Sequence, residues 1–360
     1  MKSVRTWLFI LLAFSLVYPA SGWVKAATAA EAKEKVAAVT PATAEEVGGR
    51  GEGFRPEGEE PQKEGKKEEA TEEECPATFG PIITDTAIPI DKGHFAVQPT
   101  FSLAFVTSSF SRSWRRVSAG GDFKSFGMDW KFTYGLFNNL EVFVVVPYVH
   151  NWADKVNEPG PNGQRSANFG GLSDINLTFK YRLVEEGPQI PTVTALFAVD
   201  FPTGHFRRLN PGRLGTDEIG GGSYVFTTGL NLSKYLKPFI VYANFWYSMQ
   251  TASSSLGEDD DGNSVYFRNY PRDFVTINLA AEYPITKKWV ALLELTSFWD
   301  GGRLFGHRAN TDPGALLSIL PGIEYMATEK FSLAMGVNID LVGKNGDAAV
   351  TPMLSMVYAF

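Results

Sequence analysis

The chain has 360 residues, of which 44% are hydrophobic, 13% aromatic and only 20% charged, with a formal net charge of -7. A chain so rich in aromatics is not disordered, and one without a basic excess is not built for nucleic acid. The single cysteine, Cys75, excludes an intramolecular disulfide, a zinc-thiolate site and an iron-sulfur cluster, and neither cofactor nor metal is expected.

In chain order, Lys2 and Arg5 precede an apolar run from Trp7 to Val17 and then small residues around Ala20 and Ala26, so residues 1–26 read as a secretory signal peptide. Residues 27–75 hold 14 Glu against 7 Lys and Arg, with Phe54 as their one aromatic. Too little apolar surface is present there to offset ordering entropy, and the tract is predicted to be a disordered Ala/Glu/Lys-rich periplasmic linker. Residues 76–93 are read as a segment leading into the barrel, and residues 94–360 as the barrel itself.

From His94 the pattern becomes a long alternation of period two, the mark of strands with unlike faces. Phe126, Met128, Trp130, Phe132, Tyr134 and Leu136 alternate with Ser125, Gly127, Asp129, Lys131, Thr133 and Gly135. The same reading gives twelve strands, near 95–107, 124–136, 140–149, 173–183, 192–202, 223–233, 238–250, 274–283, 289–299, 314–326, 331–342 and 349–360. The apolar faces hold no charge, and the opposite faces are mostly Ser, Thr, Gly, Ala and Asn.

Alternation alone also fits a soluble barrel, so other features decide. The strands are longer than the ~5–6 residues usual in globular proteins and match the ~9–11 tilted residues that cross a bilayer. Connections after odd strands are mostly long and those after even strands short, the asymmetry of an outer-membrane barrel with both termini in the periplasm. Outward aromatics gather at the short-turn ends (Tyr134, Tyr181, Phe239, Tyr283, Trp289, Tyr325, Phe331, Tyr358) and at the long-loop ends (Tyr148, Phe201, Tyr224, Tyr247, Trp299), forming two girdles. The fold class is therefore all-β, a transmembrane antiparallel barrel of about twelve strands in the outer membrane of a Gram-negative cell. Leu354, Met356, Tyr358 and terminal Phe360 stand at alternate positions and resemble the signal read by the barrel-assembly machinery.

Two segments carry a more specific likeness. Gly171-Leu172-Ser173-Asp174-Ile175-Asn176-Leu177-Thr178-Phe179-Lys180-Tyr181-Arg182-Leu183, and Phe201-Pro202-Thr203-Gly204 after the fifth strand, resemble the outer-membrane barrel family named for the meta-pathway of phenol degradation. The resemblance covers roughly residues 80–360, while the acidic extension 27–75 departs from the family pattern. It implies transport of small molecules, with aromatic or hydrophobic compounds as candidate solutes.

The lumen-facing ionisable residues are the candidate site: Asp129, Glu141, Asp174, Asp200, Glu282, Glu294, Glu324 and Asp340 against Lys131, Lys180 and Arg182. Two readings follow, a polar conduit favouring cations or neutral solutes, and a salt-bridged network filling a narrow barrel. With the turn after strand four centred near residue 187, Asp174 is expected opposite Asp200, and Glu141 at the height of Lys180 and Arg182. No catalytic arrangement is expected, because His94, His150, His205 and His307 lie at strand ends or in loops without a His-x-Ser spacing. The acidic loop Glu258–Asn263 lacks EF-hand spacing and reads as a solvated loop. Loop residues Arg112, Arg115, Arg116, Arg207, Arg208 and Arg213 suit anionic lipopolysaccharide. The function expected is passive solute passage, the alternative being a structural or surface-interaction barrel with a filled lumen.

Overall fold

The computed structural model describes residues 78–157, 163–258, 264–305 and 308–360. The expected signal peptide 1–26, the linker 27–75 with Cys75, His307 and most of the acidic loop 258–263 lie outside the described residues.

Twelve strands form the wall: β1 (Phe95–Phe110), β2 (Asp122–Phe137), β3 (Leu140–Asn157), β4 (Ile175–Val184), β5 (Thr192–Phe201), β6 (Val225–Leu236), β7 (Phe239–Gln250), β8 (Phe274–Pro284), β9 (Trp289–Asp300), β10 (Ala315–Thr328), β11 (Phe331–Lys344) and β12 (Gly346–Ala359). Each pairs antiparallel with its sequence neighbours. The ring closes where β12 meets β1, with Ala96 opposite Ala359 and Phe101 opposite Leu354. Closure satisfies every backbone group within the wall, the condition for crossing hydrocarbon. Phe360 extends the seam by donating its N–H to the Phe95 carbonyl at 2.8 Å, and their rings lie 5.6 Å apart.

Side chains alternate as period two requires. Phe132, Phe179, Phe197, Leu279 and Leu293 are exposed on the outer face, while Lys180, Glu282, Glu294 and Glu324 are buried on the inner one. Neighbouring aromatics of the short-turn girdle touch across strands, Phe239 with Tyr283 at 5.4 Å and Trp289 with Tyr325 at 4.6 Å.

The structure differs from the sequence reading in three ways. First, parts of the expected long loops continue as β-structure. Gln164–Leu172 pairs with the outer half of β3, and Ser253–Glu258, Ser264–Pro271, Arg303–Phe305 and Arg308–Thr311 form a separate four-stranded sheet. Second, the inner face is not uniformly small and polar. Phe143, Val145, Val149, Leu196, Trp246, Val290, Leu292 and Leu320 are buried there, and in β3 both faces are apolar, so alternation cannot tell them apart. Third, Asp174 and Asp200 are not partners. The reverse turn closes between Gly187 and Ile190, β4 pairs with β5 through Ile175 and Phe201, and Asn176 stands opposite Asp200. A turn displaced by one residue shifts the register by two, which keeps faces and changes neighbours.

Candidate functional site

The residues ahead of β1 do not simply lead into the barrel. Residues 78–92 enter the lumen from the short-turn end, cross it, and return to β1. Ile82, Ile83, Thr84, Asp85 and Ala87 are all buried. The wall binds much of the main chain of this inner segment. Glu294 takes the N–H groups of Ile82 (2.7 Å), Ile83 (3.1 Å) and Thr84 (2.6 Å) on its two oxygens. Asn244 accepts from the Asp85 N–H at 2.8 Å and donates to the Asp85 carbonyl at 2.7 Å. Further along, the Ala87 N–H donates to the Ser233 hydroxyl at 2.8 Å, the Thr194 hydroxyl donates to the Ala87 carbonyl, and the Ile90 N–H donates to Glu141 at 2.7 Å. An irregular segment with no partner strand thus has much of its polar backbone satisfied by wall side chains, as burial demands.

Two side-chain clusters fix its position. Ile82 and Ile83 pack on Val290, Leu292, Leu320 and Ala334. Asp85 sits at the centre of the lumen, 3.2 Å from Lys180, 3.5 Å from Lys131 and 2.7 Å from the Asn231 amide. Lys180 also meets Glu141 at 2.8 Å and donates to the Thr86 carbonyl at 2.9 Å. The exit from the lumen depends on Gly135. A Cβ there would stand 2.0 Å from the Asp91 carbonyl oxygen, so only glycine lets the returning chain pass so close to β2.

The sequence-derived site residues therefore divide by partner. Glu141 and Lys180 are paired, whereas Arg182 turns to Glu185 at 3.7 Å and to the Asn138 carbonyl. The Thr78 hydroxyl lies between Glu282 and Glu324, 3.2 and 2.7 Å from their oxygens, and Tyr242 donates to Glu282 at 2.9 Å. Asp200 accepts from Asn176 at 2.7 Å, and Asp340 from Ser318 at 2.6 Å and the Ala349 N–H at 2.8 Å. Asp129 is different: its buried Oδ1 has no hydrogen-bond partner. It borders a cavity of about 90 Å³ between the inner segment and Gln98, Thr100, Lys131, Val145 and Met353 of the wall. The residue that nothing in the sequence singled out is Asp85. It lies in an irregular stretch without periodicity, and its role depends wholly on contacts more than forty positions away.

Asp174 serves at the outer end. It lies between Leu172 and β4, and its carboxylate accepts the N–H groups of Gly204 at 2.8 Å and Gly221 at 2.6 Å. Ser173 donates to the Ile219 carbonyl, and Thr203 to the Ser173 carbonyl at 2.8 Å. The two segments singled out by resemblance thus clasp each other and fold the β5–β6 connection over the mouth, burying Thr216, Asp217, Glu218 and Ile219. Burial pushes the Asp174 carboxyl up from its ordinary value, and the N–H groups of Gly204 and Gly221 act against that rise. Asp174→Ala leaves two partly buried donors without their acceptor, a cost below the about 1–3 kcal/mol of a fully buried unmet group. The expected result is faster proteolytic cleavage within residues 203–224 of the folded barrel. Gly220→Ala should act alike, because its Cβ would meet Asp174 Oδ1 at 2.7 Å. Equal cleavage of wild type and both variants would show that the clasp does not hold the loop.

Comparisons with known proteins follow the same outline. A crystal structure titled as the COG4313 outer membrane channel from Pseudomonas putida F1 matches with a TM-score of 0.58 at 17% identity, over 76% of this chain and 98% of that one. The transport unit of the autotransporter AIDA-I from Escherichia coli matches with a TM-score of 0.45 at 11% identity, over 75% and 91%. The translocator domain of autotransporter NalP from Neisseria meningitidis matches at 0.43 and 12%, over 75% and 90%. No curated protein matches the chain. The family model described as "Putative MetA-pathway of phenol degradation" matches residues 91–349, which is most of the chain and nearly all of the barrel, and the chain belongs to that family.

Proposed function

We propose that this protein is an outer-membrane channel for the passive passage of small solutes, in which residues 78–92 form a removable stopper. The observation that carries the reading is that the lumen is occupied by a segment that is not part of the wall. Barrels of about eight strands are filled by their own side chains, and those of 16–18 leave an aqueous channel. Twelve strands lie between, and here the wall side chains leave room that a separate piece of chain occupies. Wall side chains hold that piece by hydrogen bonds, and water can replace such bonds when it moves.

Buried apolar side chains on the inner face support aromatic or hydrophobic compounds as solutes, since Phe143, Val145 and Val149 form a continuous stripe along β3. The proposal includes export by the signal peptide, a periplasmic linker over 27–75, insertion by the barrel-assembly machinery through Phe360, and lipopolysaccharide around the loop arginines. No catalytic step is part of it. His94 bonds to the Phe360 carbonyl and His205 to the Asp217 carbonyl, neither beside a nucleophile-base pair.

The filled lumen itself favours a second reading, a structural or surface-interaction barrel that never opens. Flux decides between them. In a Cys75→Ser background, Ile83→Cys and Leu292→Cys introduce thiols into one packed cluster. Liposomes carrying this variant should pass small aromatic solutes when reduced and stop when the disulfide forms. Absence of flux in the reduced state would favour the closed, structural barrel.

A further inference from the structure

The central charges of the lumen are balanced twice over, and the two balances use different carboxylates. With the inner segment in place, Lys131 and Lys180 face Asp85 and Glu141, two cations against two anions. Asp129 is then the odd carboxylate, with a buried oxygen and no partner. With the segment withdrawn, Asp85 leaves with it. Lys180 keeps Glu141 at 2.8 Å, and the wall is left with Lys131 and Asp129. The wall alone is thus neutral at this level, whereas the filled lumen carries one carboxylate in excess.

Geometry permits the exchange. Asp129 and Lys131 are two residues apart on the inner face of β2, about 6.6 Å along the strand, within reach of a lysine side chain. The bond to Asp85 is the longest of the central ion pairs at 3.5 Å, and Lys131 keeps 18% of its side chain exposed. The ammonium lies 4.1 Å from the centre of the Phe143 ring, so that contact can cradle it while it turns. The cavity of about 90 Å³ borders Asp85, Asp129 and Lys131 together and provides the space.

We infer that Lys131 exchanges Asp85 for Asp129 when residues 78–92 leave the lumen, and that Asp129 thereby sets how readily the barrel opens. Asp129 is a partner held in reserve for the open state. It removes the penalty of stranding a lysine, and its own lack of a partner disfavours the closed state. The inference rests on the stopper reading proposed above.

The test follows the inner segment. In full-length Cys75→Ser protein in proteoliposomes, Ala87→Cys is buried when the segment is inserted and becomes reactive to a membrane-impermeant maleimide when it leaves. Asp129→Asn should slow labelling on the order of tenfold, the size of one modest charge-pair coupling. In a Lys131→Met background the same substitution should slow labelling clearly less, because only the burial of an unpaired carboxylate in the closed state is then relieved. Asp129→Ser provides a second variant, and heat-modifiable migration reports folding of each. Labelling that is unaffected or hastened by both Asp129 variants, or slowed equally with methionine at 131, overturns the exchange. Failure to label Ala87→Cys even with Lys180→Met present would instead remove the stopper reading, and the exchange with it.

Discussion

A variant whose mature chain begins at Asp91 should conduct ions several-fold or more above the full-length protein in the same planar bilayer. In the full chain the inner segment borders a cavity of about 90 Å³. Removing residues 78–90 frees the bore of a twelve-stranded wall and exposes Glu282, Glu294 and Glu324 to water. The freed lumen should then prefer cations, because carboxylates that had been occupied by Thr78 and by the N–H groups of residues 82–84 become available to passing ions. The synthetic peptide of residues 78–90, added to the same bilayer, should restore the block, since wall side chains grip its main chain. Unchanged conductance on truncation would mean that the wall closes the bore without this segment, and gating by it would be abandoned.

Replacing Lys180 should have the next largest effect. Its side chain is 1% exposed, and its ammonium joins Glu141, Asp85 and the Thr86 carbonyl. Lys180→Met leaves two carboxylates in the lumen with one cation, Lys131, near only one of them. Breaking such a buried pair costs about 3–5 kcal/mol, which is about a hundredfold or more in an equilibrium. Asp85 escapes that cost by leaving with its segment, so the shift is expected in segment withdrawal rather than in unfolding of the wall. Labelling of Ala87→Cys should therefore accelerate while heat-modifiable migration stays normal. Lys131→Met should do less, its bond being longer and more exposed. Equal effects of the two substitutions would contradict the central place given to Lys180.

The wall was legible in the chain because period-two alternation is a local property. Each strand from Phe95 to Ala359 shows it, as do the girdle aromatics and the unequal connections, and the class of fold and the number of strands follow from these alone. Family membership was legible for the same reason, through two short segments, Gly171–Leu183 and Phe201–Gly204. Even the Glu141–Lys180 pair was anticipated, since both residues face inward at the short-turn ends of adjacent strands. Where a reading needed a turn to be placed to the residue, as at Gly187–Ile190, a slip of one moved the partner of Asp200 from Asp174 to Asn176. Along the middle of β3 both faces are apolar, and there the inward Glu141 set the phase.

Only the tertiary structure decided what fills the lumen. Residues 78–92 have no period, and they lie ahead of the first strand, where alternation has nothing to say. Their position is set by contacts with residues 50 to 250 positions away, Glu141, Lys180, Asn231, Asn244, Glu294 and Glu324 among them. Those wall residues were visible as inward charges and amides, but what Glu141, Asn244 and Glu294 hold is a backbone. Backbone donors and acceptors are the same for every sequence, so the chain could show that the lumen would bind something polar and not that it would bind its own beginning.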